Sequence, residues 1–417
     1  MSPLRARNGN GRDTDRYRAR MTPRRPLYSH PLQQQQPRQS RILPHLPPEL
    51  YWSIIDFVTD TQDLCNLTLT SRICQNAAEH ILYRTIDLGR DTLRLESWAG
   101  VILDYPDKAA HVQALSVTFD TPLLIVPCMV RPTLQLLSQA LRVLPNLRSL
   151  TLLGHPMVMM NPLNSWILQG CDFKLQTFHN EVFPASALHS FLSTQPTIRE
   201  WRQADLLAED SMVLASTLGN LPELMVFRGH AALFAGIDET RPLRRVSLRM
   251  DGVLDGFIDR ELLRSLALCG STILALHLEQ SGGHLYHGQL LSPRSSAILK
   301  LLRKSVPYLP NLRLLVIGES NNLKLSIQDY ISIINQYPSL QGIIFKSNNK
   351  TGVQVPNSIL GCIMSQCPRV LSVATLSATG QGLLAFNRTK TEDWGGITQA
   401  YVHNASDVID NLRPWWI

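Results

Sequence analysis

Long hydrophobic runs are missing from this 417-residue chain. No stretch approaches the ~20 residues that a bilayer-crossing helix needs, and the most apolar short window, "PLLIVPCMV" at 122–130, is interrupted by proline. A membrane partner is therefore not expected. No secretory leader is expected either, and only seven cysteines are scattered along the chain (Cys65, Cys74, Cys128, Cys171, Cys269, Cys362 and Cys367). That usage fits reduced thiols in cytoplasm or nucleus rather than a disulfide framework. On this reading the sequons at Asn387 and Asn404 stay unglycosylated.

Catalytic signatures are equally scarce. GxSxG, HExxH, paired CxxC and clustered carboxylates are absent, as are the phosphate-cradling patterns GxGxxG and GxxxxGK[ST]. The expectation is a protein that is not an enzyme, with no catalytic residue, no metal site and no cofactor. His284 and His287 share one glycine-rich stretch without a third ligand, so a surface loop outweighs a metal site there. Cys362 and Cys367 read as helix packing ahead of a metal or redox pair.

Charge of one sign is confined to the start. The formal charge of +7 hides ten arginines in residues 1–41 against Asp13 and Asp15, which leaves 30 basic and 31 acidic residues in the remainder. The body is therefore not a general nucleic-acid binder. Residues 1–41, rich in arginine, proline and glutamine, lack the aliphatic pattern needed to offset ordering entropy and read as a disordered tail. A solvated tail, a nuclear-localisation or phosphate-contacting stretch, and a presequence are the readings of "RARMTPRRP"; Asp13, Asp15 and the prolines oppose the last.

What is present begins with "LPPELYWSIIDFV" at 46–58. Two prolines suit a first helical turn, Glu49 favours the positive end of the helix dipole, and Leu50, Ile54, Ile55 and Val58 are expected along one side. Asp60 or Asp63 then caps a second helix carrying Leu64 and Leu67, and "LTSRICQNAAEHILY" supplies a third. Such a unit is too small to be stable alone and must pack on something. With "DLCNLTLTSRICQNAAEHILYRTIDL" following, the segment resembles an F-box domain of the type common in fungal proteins. The likeness spans Leu46, Pro47, Glu49, Leu50, Ile54, Ile55, Asp63, Leu64, Leu67 and the closing "HILYRTIDL". It implies docking on the Skp-family adaptor of a cullin-RING ubiquitin ligase, with Leu46, Pro47, Leu50, Ile54, Ile55, Leu64 and Leu67 serving either docking or the core of the unit.

From about residue 109 a short theme recurs: an apolar anchor followed three and five positions later by further apolar residues. The anchors are Val112, Leu147, Leu175, Ile198, Leu224, Leu243, Ile273, Leu312, Leu340 and Val370. Amphipathic segments such as "TLQLLSQALRVL" and "SSAILKLLRKSV" fall between them. Strand alternating with helix at this spacing fits a doubly wound sheet or a horseshoe solenoid, and the near-copies "LPNLRSLTLLG" and "LPNLRLLVIGE" favour the solenoid. It resembles degenerate leucine-rich repeats.

Residues two and four beyond each anchor are expected on the concave side, where Arg202, Arg228 and Arg245 fall, with Arg249 two further on. The later repeats turn apolar there. Such a gradient suits a protein substrate with an acidic or phosphorylated stretch beside a hydrophobic one; ordinary solvated strand residues are the alternative. Extended loops at 120–132 and 281–296 are expected at one rim, and Trp394, Trp415 and Trp416 read as an end cap or, failing that, a partner anchor.

The organisation that follows is α/β: a disordered tail (1–41), a three-helix F-box (42–88), an irregular leucine-rich-repeat solenoid (89–386) and a capping segment (387–417). The function that goes with it is substrate recognition for an SCF-type ligase. A non-ligase interaction scaffold, with the helices only capping the solenoid, is the alternative.

Overall fold

The computed structural model describes residues 46–119, 127–154, 162–203, 221–237, 240–251, 256–281, 297–319, 327–347, 357–376, 383–388 and 397–402. From Pro48 onward the described residues form one compact unit. Residues 1–45, residues 282–296 with His284 and His287, and Trp394, Trp415 and Trp416 lie outside the described residues.

The described strands form one sheet whose spatial order is their order in the chain. They are β1 (Thr85–Asp87), β2 (Ala114–Thr118), β3 (Ser149–Leu153), β4 (Thr177–Asn180), β5 (Glu200–Gln203), β6 (Val226–His230) and β7 (Arg245–Asp251). β8 (Ala275–Ser281), β9 (Leu314–Glu319), β10 (Gly342–Ser347), β11 (Ser372–Leu376), β12 (Leu383–Arg388) and β13 (Ile397–Val402) complete it. The first eleven run parallel, and β12 and β13 close the sheet as antiparallel partners. A doubly wound sheet needs a reversal of strand order, and here there is none. Each unit stacks on the one before it, which makes the body a strand-and-helix solenoid.

The register follows directly from the repeated theme. Every strand from β2 to β11 starts two residues after its anchor, and all ten anchors are buried. The residues three and five after each anchor face the same core, because strand side chains alternate. The first residues of these ten strands are therefore successive partners across the sheet, from Ala114, Ser149 and Thr177 through to Gly342 and Ser372. At nine successive junctions the carbonyl just after an anchor accepts two backbone N–H groups from the next repeat. Gln113 O, for example, accepts from Arg148 and Ser149 at 2.8 and 3.0 Å. That paired acceptance locks each strand to its neighbour without shear.

Helices cover the anchor face. The sixteen-residue helix Pro127–Arg142 buries Leu134, Leu137, Ala140 and Leu141 in the main core. It corrects one expectation: residues 127–132 begin a helix instead of extending a rim loop. Pro127 stands at its first position, where a missing N–H costs nothing.

Three helices precede the sheet: α1 (Pro48–Ile55), α2 (Thr61–Leu67) and α3 (Arg72–Arg84). Asp60 caps α2, its side chain accepting from the backbone N–H of Gln62 at 2.6 Å and of Asp63 at 3.2 Å. Ser71 caps α3. α3 runs straight into β1, so the sheet begins inside the segment assigned to the helical unit. The signal was there: Tyr83, Ile86 and Leu88 repeat the anchor spacing, and Arg84 O accepts from Gln113 N. An aromatic anchor inside a helix masked it. At the other end, β12 crosses the expected solenoid boundary at residue 386.

Candidate functional site

The helical unit has a small core of its own. Ile55, Leu64, Ala77 and Ala78 are buried together, with Val58, Leu67, Cys74, Ile81 and Leu82 packed around them. The seven residues singled out from the sequence therefore separate into two groups. Ile55 and Leu64 are interior and Leu67 is packed against them, whereas Leu50 and Ile54 stand outside, 46% and 56% exposed. Leu46 and Pro47 precede α1 and are exposed. The expected single apolar side of α1 is thus corrected: Leu50 and Ile54 share one side, and Ile55, about 140° round the helix from Leu50, turns inward. Sequence reasoning passed over Phe57 and Leu69, both in turns and both 86% exposed.

This unit is tied to the solenoid through α3. Trp52 packs edge-on against His80, which packs edge-on against His111, with centroids 5.3 and 5.0 Å apart. The two imidazole Nδ1 atoms are 3.2 Å apart, so one donates and the other accepts. Burial holds His80 below its ordinary pKa; His111 and Arg84 add to the effect and Asp56 opposes it. Beside them Lys108 lies 3.6 Å from Glu79 and over the rings of Tyr83 and Tyr105.

The second surface is the sheet face opposite the anchors. Its middle row reads Thr151, His179, Arg202, Arg228, Ser247, His277, Val316 and Ile344 as successive partners. Arg245 and Arg249 flank Ser247 two positions along β7. All four arginines expected on this face are therefore brought to neighbouring positions. Carboxylates stand among them, Glu200 and Glu279 at positions that the same anchor spacing assigns to this face. Glu200 holds Arg202 at 2.6 Å, Glu181 holds His179 at 2.9 Å, and Glu279 accepts from Lys346 at 3.0 Å. That last contact spans β9, where Gly318 stands between Glu279 and Lys346 and a Cβ would crowd the Glu279 side chain. Glu181 sits below its ordinary pKa because His179 donates to it, with Arg228 and Arg249 contributing. Burial would raise Glu279, but Lys346, His277 and Arg249 outweigh it and lower it.

The apolar part of the expected gradient is not open surface. Leu314, Val316 and Ile344 are buried. The exposed part of this face is its polar centre.

His277 sits at that centre, its Nδ1 2.9 Å from Ser247 Oγ. Burial, with Lys346, Arg228 and Arg249, pulls its pKa down to about 4 against the opposing pull of Glu279. The unfolded chain takes up a proton near pH 6.5 and the folded protein only near pH 4, so stability is complete above 6.5 and falls with pH between those values. The expected loss is on the order of 2–3 kcal/mol. Urea titrations from pH 7 to pH 4 check it: His277→Gln should flatten the acid slope, and an unchanged slope would count against it.

No protein-family model and no curated protein matches the sequence. Solved structures similar to this chain include the leucine-rich repeat-containing protein LegL7 from Legionella pneumophila, at 15% identity over 71% of this chain and 91% of that one, TM-score 0.42. Another is the TLR13–ssRNA13 complex, at 11% identity over 70% of this chain and 36% of that one, TM-score 0.39. The chain thus spans about a third of the second protein's length. The fold is leucine-rich-repeat-like. Strand order and register carry that statement. Among the described residues there is no metal-binding cluster, and no helix is long and apolar enough to cross a membrane.

Proposed function

We propose that the chain is a non-catalytic adaptor: the helical unit docks on a Skp-family protein, and through it a cullin, while the solenoid holds a protein substrate for ubiquitin transfer. The observation that supports it best is where apolar surface is exposed. Among the described residues eleven large hydrophobic side chains are exposed, and six of them belong to the helical unit: Leu50, Trp52, Ile54 and Ile73 in its helices and Phe57 and Leu69 in the turns between them. A cluster of that kind on so small a unit marks a partner surface. The F-box resemblance over 46–88 names the partner, and the near-neutral body argues against nucleic acid. Cytoplasm or nucleus is the compartment that goes with this reading.

The test is capture of a purified Skp-family adaptor by the full chain. Leu50→Ala, Ile54→Ala and Phe57→Ala together should reduce capture at least tenfold while the melting temperature holds, because all three side chains are exposed. Equal capture by wild type and variant removes the ligase reading. The scaffold alternative draws on a different observation: α3 continues into β1, and Tyr83 and Ile86 pack on the solenoid core, as end-capping helices do. It expects no capture by either protein and a loss of solenoid stability when α1 to α3 are removed.

A further inference from the structure

Two imidazoles meet where the helical unit joins the solenoid. His80 lies on α3, and His111 lies in the turn between the short helix Pro106–Ala109 and β2. Their Nδ1 atoms are 3.2 Å apart and their rings stand nearly perpendicular, at 82°. His80 also meets Trp52 of α1 edge-on. The stack of Trp52, His80 and His111 therefore links α1 to the approach to β2. The helical unit's own core is small, with Ile55, Leu64, Ala77 and Ala78 as its buried members. A unit with so few buried contacts belongs to the low end of local stability, so this link counts.

A hydrogen bond between two imidazoles has a limited capacity for protons. In the neutral pair one Nδ1–H donates and the other Nδ1 accepts. A first added proton takes the Nε2 of the donating ring, and the resulting imidazolium donates a stronger, charge-assisted bond to its neutral neighbour. A second proton has to take the accepting Nδ1. Two N–H groups then face each other at 3.2 Å and both rings are cationic, so the contact is lost.

The charged groups around the pair are largely engaged with one another. Arg84 on α3 lies 3.9 Å from Asp56 just beyond α1. Glu79 on α3 lies 3.6 Å from Lys108 on the short helix, and Lys108 also stands over the rings of Tyr83 and Tyr105. Asp104 and Asp107, on either side of Tyr105, are exposed. Burial, His111 and Arg84 hold His80 below its ordinary pKa, with Asp56 opposing. The unfolded chain takes up that proton near pH 6.5, so the stability the contact confers is complete above this value and is lost as pH falls below it.

We infer that His80 and His111 form a proton-operated latch, which holds α1 and α3 against the first turn of the solenoid while one ring stays neutral and opens when both are cationic. The latch stands on contacts within the chain and goes beyond the proposed docking. Because α1 carries the exposed Leu50 and Ile54, opening alters the partner surface; that consequence alone rests on the docking reading.

The test is amide hydrogen exchange of the full chain, read by mass spectrometry over residues 48–58 at pD 7.5, 6 and 5. His111→Gln is the comparison: its amide N–H donates to neutral His80, its amide oxygen accepts from the imidazolium, and the contact survives in both states. His80→Gln does the same from the other side and serves if the first variant folds poorly. Residues 48–58 are identical in all three proteins, and other titrating groups, His277 among them, cancel in the ratio of wild-type to variant exchange. That ratio should grow as pD falls, by up to about tenfold per pH unit, as opening linked to uptake of one proton requires. A ratio that stays constant or falls between pD 7.5 and pD 5 overturns the inference and leaves the pair as an ordinary packing contact. Adaptor capture is read separately near neutral pH, so its failure bears on the docking reading and not on the latch.

Discussion

Replacing Trp201 by alanine is expected to destabilise the protein by about 3–5 kcal/mol, as loss of a large buried aromatic does. Trp201 is fully buried in the middle of β5. In register it stands between Phe178 on β4 and Phe227 on β6, and its ring lies 5.7 Å from that of Phe227 at 68°, an edge-to-face arrangement. Phe178 in turn packs edge-on against Phe191, and Phe227 packs against Phe234 with the rings tilted at 44°. Three consecutive repeats therefore share one aromatic layer. A solenoid has few long-range contacts to compensate, so a void in one repeat weakens both interfaces next to it. The indole N–H has no hydrogen-bond partner among the described residues. Trp201→Phe removes that unsatisfied donor while keeping most of the ring, and it should cost well under half as much as alanine. Urea unfolding of both variants decides: an alanine cost below about 1 kcal/mol, or phenylalanine as costly as alanine, would show that the layer is not the organising contact of these repeats. The arginines of β5 to β7 sit on the other side of the same strands, so their spacing depends on this layer.

The repeat spacing was legible because an anchor and its companions three and five residues later are a one-dimensional signal of which side faces the core. That signal assigned the ten anchors and their companions to the core side, whether the buried companions were leucines or polar residues such as Asn180 and Gln203, which bond each other at 3.0 Å. It failed at β1, where the anchor Tyr83 also ends a helix. The helical unit was legible in outline from its prolines and the Asp60 cap. The division between Leu50 and Ile54 outside and Ile55 inside was not, because in a helix of eight residues the inward side is set by what α3 presents to it. The open face was legible as a set of arginines. Glu200 and Glu279 were legible there by the same spacing; what the spacing did not show is which cation each carboxylate pairs with. The salt link from Glu279 to Lys346 joins residues 67 apart in sequence, which no local pattern announces.

The second large effect is expected at Gly270, where alanine should cost about 3 kcal/mol, the upper range for overpacking. Gly270 begins the short 3₁₀ turn Gly270–Thr272 that leads into β8. A Cβ there would overlap the carbonyl oxygen of Tyr308 and come within 3.0 Å of its carbon and 3.2 Å of Leu309 Cδ2. Backbone cannot rotate away as a side chain can. The Tyr308 carbonyl sits just before the buried Leu309 and the anchor Leu312, and Asn311 donates to Ser271 O at 2.7 Å across the same junction. Relief of the overlap must therefore move β9 relative to β8, which also separates Glu279 from the Lys346 that reaches it over Gly318. Gly361 is the control: it lies inside the helix Asn357–Gln366 with nothing within 4 Å of a Cβ. Alanine there removes only glycine's conformational freedom and should stabilise by about 0.5–1 kcal/mol. Thermal unfolding of the two variants should move in opposite directions. If Gly270→Ala melts with the wild type, the two repeats are not held in contact through that carbonyl, and the tight junction between β8 and β9 is wrong.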